Sequence, residues 1–100
     1  MRHDLATIPF PTGVGAANSI RVEHFQEKTV QIDGTFVADI DIEGSVNGTT
    51  YHPLRTGISA PGIFLITEAV RNLRLRATGF TSSASGAAVL GAFHSRTDGG

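Results

Sequence analysis

The side chains best suited to proton transfer near neutral pH are four histidines, His3, His24, His52 and His94, scattered along the whole chain. Nucleophilic hydrolysis needs a serine, threonine or cysteine beside a base and an orienting acid. Cysteine is absent, and no serine stands in a Gly-x-Ser-x-Gly elbow. No catalytic residue is assigned, and an enzyme is not expected. The histidines read as surface or rim positions: His3 in an N-terminal arm, His24 and His52 near strand ends, His94 on the last strand.

Metal chemistry has one imitator. Asp39-Ile40-Asp41-Ile42-Glu43-Gly44 opens like a calcium loop, with oxygen ligands at alternate positions and glycine sixth. The twelfth position is Thr50 rather than a bidentate glutamate, and Ile40 and Ile42 repeat with the period of a strand. An acidic outer strand face is therefore expected, and neither metal nor cofactor. Arg74 and Arg76, on the outer face of a later strand, are candidates to pair with Asp39, Asp41 and Glu43, within the chain or between subunits; each cross-strand pair would add about 0.2–1 kcal/mol. Asn47-Gly48-Thr49 matches a glycosylation acceptor but reads as a turn. Thr81-Ser82-Ser83-Ala84-Ser85-Gly86 lacks the lysine and following helix of a phosphate cradle, and reads as a flexible hairpin connection.

The elements that carry these residues are short alternating runs. Phe36, Ala38, Ile40 and Ile42 share one face, and Val37, Asp39, Asp41 and Glu43 the other, which is a half-buried strand. Val30 and Ile32 precede it across Asp33-Gly34, and Tyr51 and Leu54 follow it across Asn47-Gly48; both dipeptides accept positive φ and signal hairpins. Ile63 to Ile66 is a compact apolar run, Leu73, Leu75 and Ala77 alternate with Arg74 and Arg76, and Ala87 to Phe93 closes the series. With Ile20 to His24 the prediction is an all-β, antiparallel sandwich of about seven strands, helix being confined at most to Glu68–Asn72.

Residues 1–17 show no period. Pro9, Pro11, Gly13 and Gly15 separate the isolated apolar residues Leu5, Ile8, Phe10 and Val14. They read as an extended arm, followed by a domain over 18–95 and a flexible polar tail over 96–100. Ordering an arm of this length costs roughly 16–30 kcal/mol, at about 1–2 kcal/mol per residue. Contacts with a neighbouring subunit through Leu5, Ile8, Phe10 and Val14 would offset that cost.

Composition narrows the partners. A chain of 100 residues at 40% hydrophobic and 17% charged makes one domain with a thin core. Its formal charge of −1 lacks the concentrated basic face that nucleic acid requires. Without cysteine there are no disulfides and no thiolate metal sites. No apolar run reaches a membrane span, and the start lacks a signal peptide's apolar stretch, so synthesis in the cytoplasm is expected.

From Thr29 to Phe93 the chain resembles a recurrent β-sandwich module of tailed-bacteriophage virion proteins. Thr35-Phe36 opens a strand, and Ile42-Glu43-Gly44-Ser45-Val46-Asn47-Gly48 is similar to the module's Glu-Gly-Ser followed by a polar-Gly turn. Tyr51-His52-Pro53-Leu54 stands at its aromatic position, where tryptophan is the usual residue. Leu73-Arg74-Leu75-Arg76-Ala77-Thr78 resembles its arginine-containing penultimate strand, and Ser85-Gly86 to Leu90 its final one. The resemblance covers about two-thirds of the chain and brings no catalytic residues.

What it implies is an accessory structural protein of the virion: a capsid decoration or cement protein, made in the host cytoplasm. The expected partners are copies of itself, as a homo-oligomer and naturally a trimer, and the major capsid protein or other virion proteins. A tail component, or a carbohydrate-binding or host-recognition module using Tyr51, is the alternative.

Overall fold

The computed structural model describes residues 2–23, 25, 27–83 and 85–94. Among these residues nine strands follow in order: β1 (Arg2–Ile8), β2 (Gly15–Ala16), β3 (Ile20–Arg21), β4 (Glu27–Asp33), β5 (Phe36–Ser45), β6 (His52–Ile58), β7 (Gly62–Ile66), β8 (Asn72–Ser83) and β9 (Ala87–His94). They form two antiparallel sheets, one ordered β1-β9-β4-β7, the other β2-β8-β5-β6 with β3 also on β8. The protein is an all-β sandwich. Glu68–Asn72, the one segment left open to helix, holds no helix: residues 67–71 are a connection, tied by the Arg71 amide donating to Ser45 O at 2.8 Å.

Period-two alternation explains the core. Val30 and Ile32 of β4, Ile40 and Ile42 of β5, Leu73 and Leu75 of β8, and Leu90 of β9 are wholly buried between the sheets. Each such side chain contributes roughly 1.5–3 kcal/mol relative to remaining in water. The chain's one lysine, Lys28, also points inward from β4 and is 1% exposed. Burial lowers its pKa, and the Glu68 carboxylate partly opposes that.

Two of the nine strands come from the segment expected to be an arm. β1 pairs with β9 over seven positions, from Arg2 opposite His94 to Ile8 opposite Ala88, and Gly15 and Ala16 pair with Ala77 and Arg76. The alternation is hidden in the sequence because β1 is an edge strand that carries apolar residues on both sides: Leu5 faces out, Ile8 in. A boundary at residue 17 is therefore not a division of the fold. His24 and the tail expected over 96–100 lie outside the described residues.

Asp33-Gly34 does not make a hairpin. It carries the chain from β4 in one sheet to β5 in the other, and Ser85-Gly86 carries it back from β8 to β9. The two crossovers meet: the Thr35 amide donates to Ser85 Oγ at 2.9 Å, and the Ser85 amide to Thr35 O at 3.1 Å. Gly34 sits there with φ 92°, and a Cβ would lie 1.8 Å from Ser85 O, so no other residue fits. Asn47-Gly48 does join a hairpin, β5 to β6, with Asn47 Oδ1 accepting from the amides of Thr49 and Thr50 at 2.8 and 2.9 Å.

Candidate interaction surfaces

The five-stranded sheet turns its charges outward and pairs one acid with one base across β5 and β8. The β5–β8 register sets Asp41 opposite Arg76 and Glu43 opposite Arg74. Arg74 Nε donates to Glu43 Oε1 at 2.7 Å, and its guanidinium lies 3.9 Å above the Tyr51 ring. This stack explains how Glu43, an acid on an outer face, is only 6% exposed. Asp41 Oδ1 accepts from the Gly57 amide at 3.1 Å, while Asp39 stands opposite Gly79, where a Cβ would come within 3.2 Å of Asp39 Oδ2. Among the described residues, no three His, Cys, Asp or Glu side chains gather as metal ligands.

The Glu-Gly-Ser run now has a physical account. Glu43 anchors Arg74; Gly44 leaves room for Leu54, whose Cδ1 would lie 2.7 Å from an added Cβ; and Ser45 Oγ accepts from the Gly48 amide at 2.8 Å while donating to Asn47 Oδ1 at 3.0 Å. Beside this hairpin a cleft of about 650 Å³ opens between Ser45, Asn47, Thr50 and His52 on one side and Leu54, Glu68 and Val70 on the other. Arg55 NH1 closes on Glu68 Oε2 at 3.1 Å. Backbone amide hydrogen bonding and then Arg55 hold the Glu68 carboxyl below the usual carboxylate range.

The four-stranded sheet presents the opposite surface. Leu5, Gly91, Thr29 and Leu65 form one row across β1, β9, β4 and β7, and Thr7, Val89, Gln31 and Ile63 form the next. Neither row contains an ionisable group. Leu5 and Ile63 are each 68% exposed, Leu65 53% and Val89 36%. Four strands about 4.8 Å apart and five residues rising about 3.3 Å each give a footprint of roughly 19 by 17 Å, on the order of 300 Å². Four of its eight positions are aliphatic and the others are Gly91, Thr29, Thr7 and Gln31, so its apolar part is smaller than the largest apolar patch on a typical monomer.

The expected interface residues divide accordingly. Leu5 belongs to this apolar face; Ile8 is a core residue of its own chain; and Phe10 packs on Phe36 with ring centroids 5.2 Å apart. Val14 is 72% exposed in the bend before β2, apart from the other three. Sequence reasoning missed Ile63, Leu65 and Val89. The run Ile63–Ile66 has apolar residues on both strand faces, a signal for two covered faces, and here only Phe64 and Ile66 are packed on the core.

Fold and surface together define a small all-β sandwich with an acid–base pair on one outer face and two uncharged rows on the other. The crystal structure titled SPBc2 prophage-derived protein YomS shares this fold, with a TM-score of 0.65 over 90% of each chain and 13% sequence identity. No protein-family profile matches the chain, and no curated protein matches it by sequence.

Proposed function

We propose that this chain is a non-enzymatic structural protein of a bacteriophage particle, a capsid decoration or cement protein that binds the head shell in many copies. The single observation that carries the reading is the pair of rows without an ionisable group across the middle of the four-stranded sheet's outer face, between Glu27 and Asp33 of β4, where Leu5, Ile63, Leu65 and Val89 lie open to water. A likeness of fold to a prophage-derived protein supports the phage context.

Size favours a multi-copy role. A standard stable interface buries about 800 Å² per partner, well above the roughly 300 Å² footprint of this face, so one docking event is weak. On a repeating shell, linked weak attachments gain a factor of about 10²–10⁴. The partners in this reading are the major capsid protein and copies of the chain itself, a trimer matching a threefold shell position; the location is the virion. The sugar-binding alternative is disfavoured, because one face of the Tyr51 ring is engaged by Arg74.

The test is attachment to shells. Particles purified from an infected host contain the chain, and Ile63→Lys with Leu65→Lys abolishes its binding to stripped shells without lowering its melting temperature. Absence of the chain from particles, or unchanged shell binding by the double variant, overturns the reading.

A further inference from the structure

β1 can be followed as a unit separable from the rest of the domain. It is N-terminal, it lies at the edge of its sheet, and it pairs with β9 alone. Its hold on the core passes through Ile8, wholly buried, and Ala6 beside it. The segment that follows is anchored at Phe10, against Phe36, and rejoins the sheets only at Gly15. Between them Thr12, Gly13 and Val14 form a bend, Thr12 and Val14 exposed. A Cβ at Gly13 or Gly15 would meet nothing within 4 Å, and Gly15 has φ 122°. A bend of this kind can straighten without displacing a packed group.

We propose that β1 is exchanged between copies: residues 2–11 of one chain fill the slot beside β9 of a second chain, with Thr12–Val14 as the hinge. The slot is specified by β9, Phe36 and the glycine at 86, where a Cβ would collide with the Phe10 ring at 2.5 Å. Any copy's Ile8 and Phe10 satisfy it equally. Closed and exchanged forms therefore share the same strand pairing and the same core contacts, and they differ at the hinge and in the entropy of association. This is the ordinary condition for strand exchange between identical chains. High local concentration favours the exchanged form, whereas dilution restores the closed one.

The second copy is the natural occupant because the slot's complement is a segment of this same sequence. Exchange also leaves the apolar face complete, since Leu5 returns to the row with Gly91, Thr29 and Leu65, now supplied by a neighbour. The inference does not depend on the virion reading: exchange can fail while shell binding persists, and the reverse.

The chain contains no cysteine, which makes cross-linking clean. Thr7 and Val89 are register partners on the outer face, and directly opposed strand residues lie within disulfide range. Thr7→Cys and Val89→Cys chains, prepared separately, are unfolded, mixed, refolded together at high concentration and mildly oxidised. The expected product is a covalent dimer whose peptide map joins position 7 to position 89, at roughly 10² times the yield of a Val14→Cys with Ile63→Cys mixture, which measures chance collision. Equal yields from the two mixtures overturn the proposal. The double variant Thr7→Cys/Val89→Cys, oxidised in dilute solution, closes within one chain and verifies the pair geometry. Deleting Thr12 and Gly13 shortens the hinge and raises the interchain yield, because a strained short hinge opens; an unchanged yield from that folded variant also counts against exchange.

Discussion

On the five-stranded sheet Glu43 meets Arg74 across β5 and β8, and Tyr51 stacks on the guanidinium. On the four-stranded sheet two rows cross every strand without an ionisable group, and the one lysine of β4 points inward instead. The Glu43–Arg74 pair is completed within the chain, whereas the aliphatic side chains of the neutral rows stay open to water.

The sharpest break to this comparison is at Glu43. Glu43→Ala leaves Arg74 half-covered and unpaired, at a cost of about 2 kcal/mol, the ordinary worth of a charge-assisted hydrogen bond. The melting temperature falls by roughly 8–16 °C for a domain of this size. Asp39→Ala, on the same face, changes it little, and calorimetry of the two variants with an Arg74→Ala double-mutant cycle separates the pair from the burial. Equal, small effects at both positions would mean that the stack is not closed.

A smaller effect of opposite sign is expected at Lys28. Its folded-state pKa is lowered, so the unfolded chain binds more protons between that value and the ordinary lysine value. Stability thus rises as pH climbs through this window and levels off above it. Lys28→Met removes the rise and adds about 1 kcal/mol at neutral pH, as replacing a buried charge by a well-packed apolar group does. Urea unfolding at pH 7 and at pH 10 measures both; an alkaline rise that survives the substitution would place its origin elsewhere.

On the neutral face, Leu65→Lys alone changes stability by less than about 0.5 kcal/mol, the normal range for an open surface position. A loss comparable with that of a core truncation, seen in thermal melts, would show that Leu65 is packed within the chain. A small effect, confined to acid pH, is expected at Glu68, two-fifths exposed beside Arg55. Its lowered folded pKa contributes stability that is present above the unfolded value and lost as pH falls through the folded one. Glu68→Gln flattens that acid limb by at most about 1 kcal/mol, a change that acid titration of the melting temperature resolves.

Much of the fold was legible. Phe36 to Ile42 of β5 and Leu73 to Ala77 of β8 could be read residue by residue, because one side of each stretch is buried and its neighbours alternate with it. Strand β1 was not legible, because an edge strand with an apolar outer side shows no contrast between its faces. Asp33-Gly34 signalled a hairpin because the dipeptide reports only a positive φ. The same glycine conformation serves a crossover between sheets when Ser85 stands against it.

Of the candidate surfaces, the acid–base stripe could be named from residue type and phase, and the partner of each acid could not. Nor could the apolar face, whose residues come from four strands distant in the chain.

By itself, the sequence determined an all-β domain, the inward residues of its long strands, the Asn47-Gly48 turn and the absence of thiol chemistry. Each of these follows from local period or from composition. Only the tertiary structure decided that β1 closes a sheet, that Glu43 meets Arg74, and that Leu5, Val89, Ile63 and Leu65 share one open surface. Alternation records which side chains lie together on a strand, but strand order decides what lies beside them and whether anything covers them.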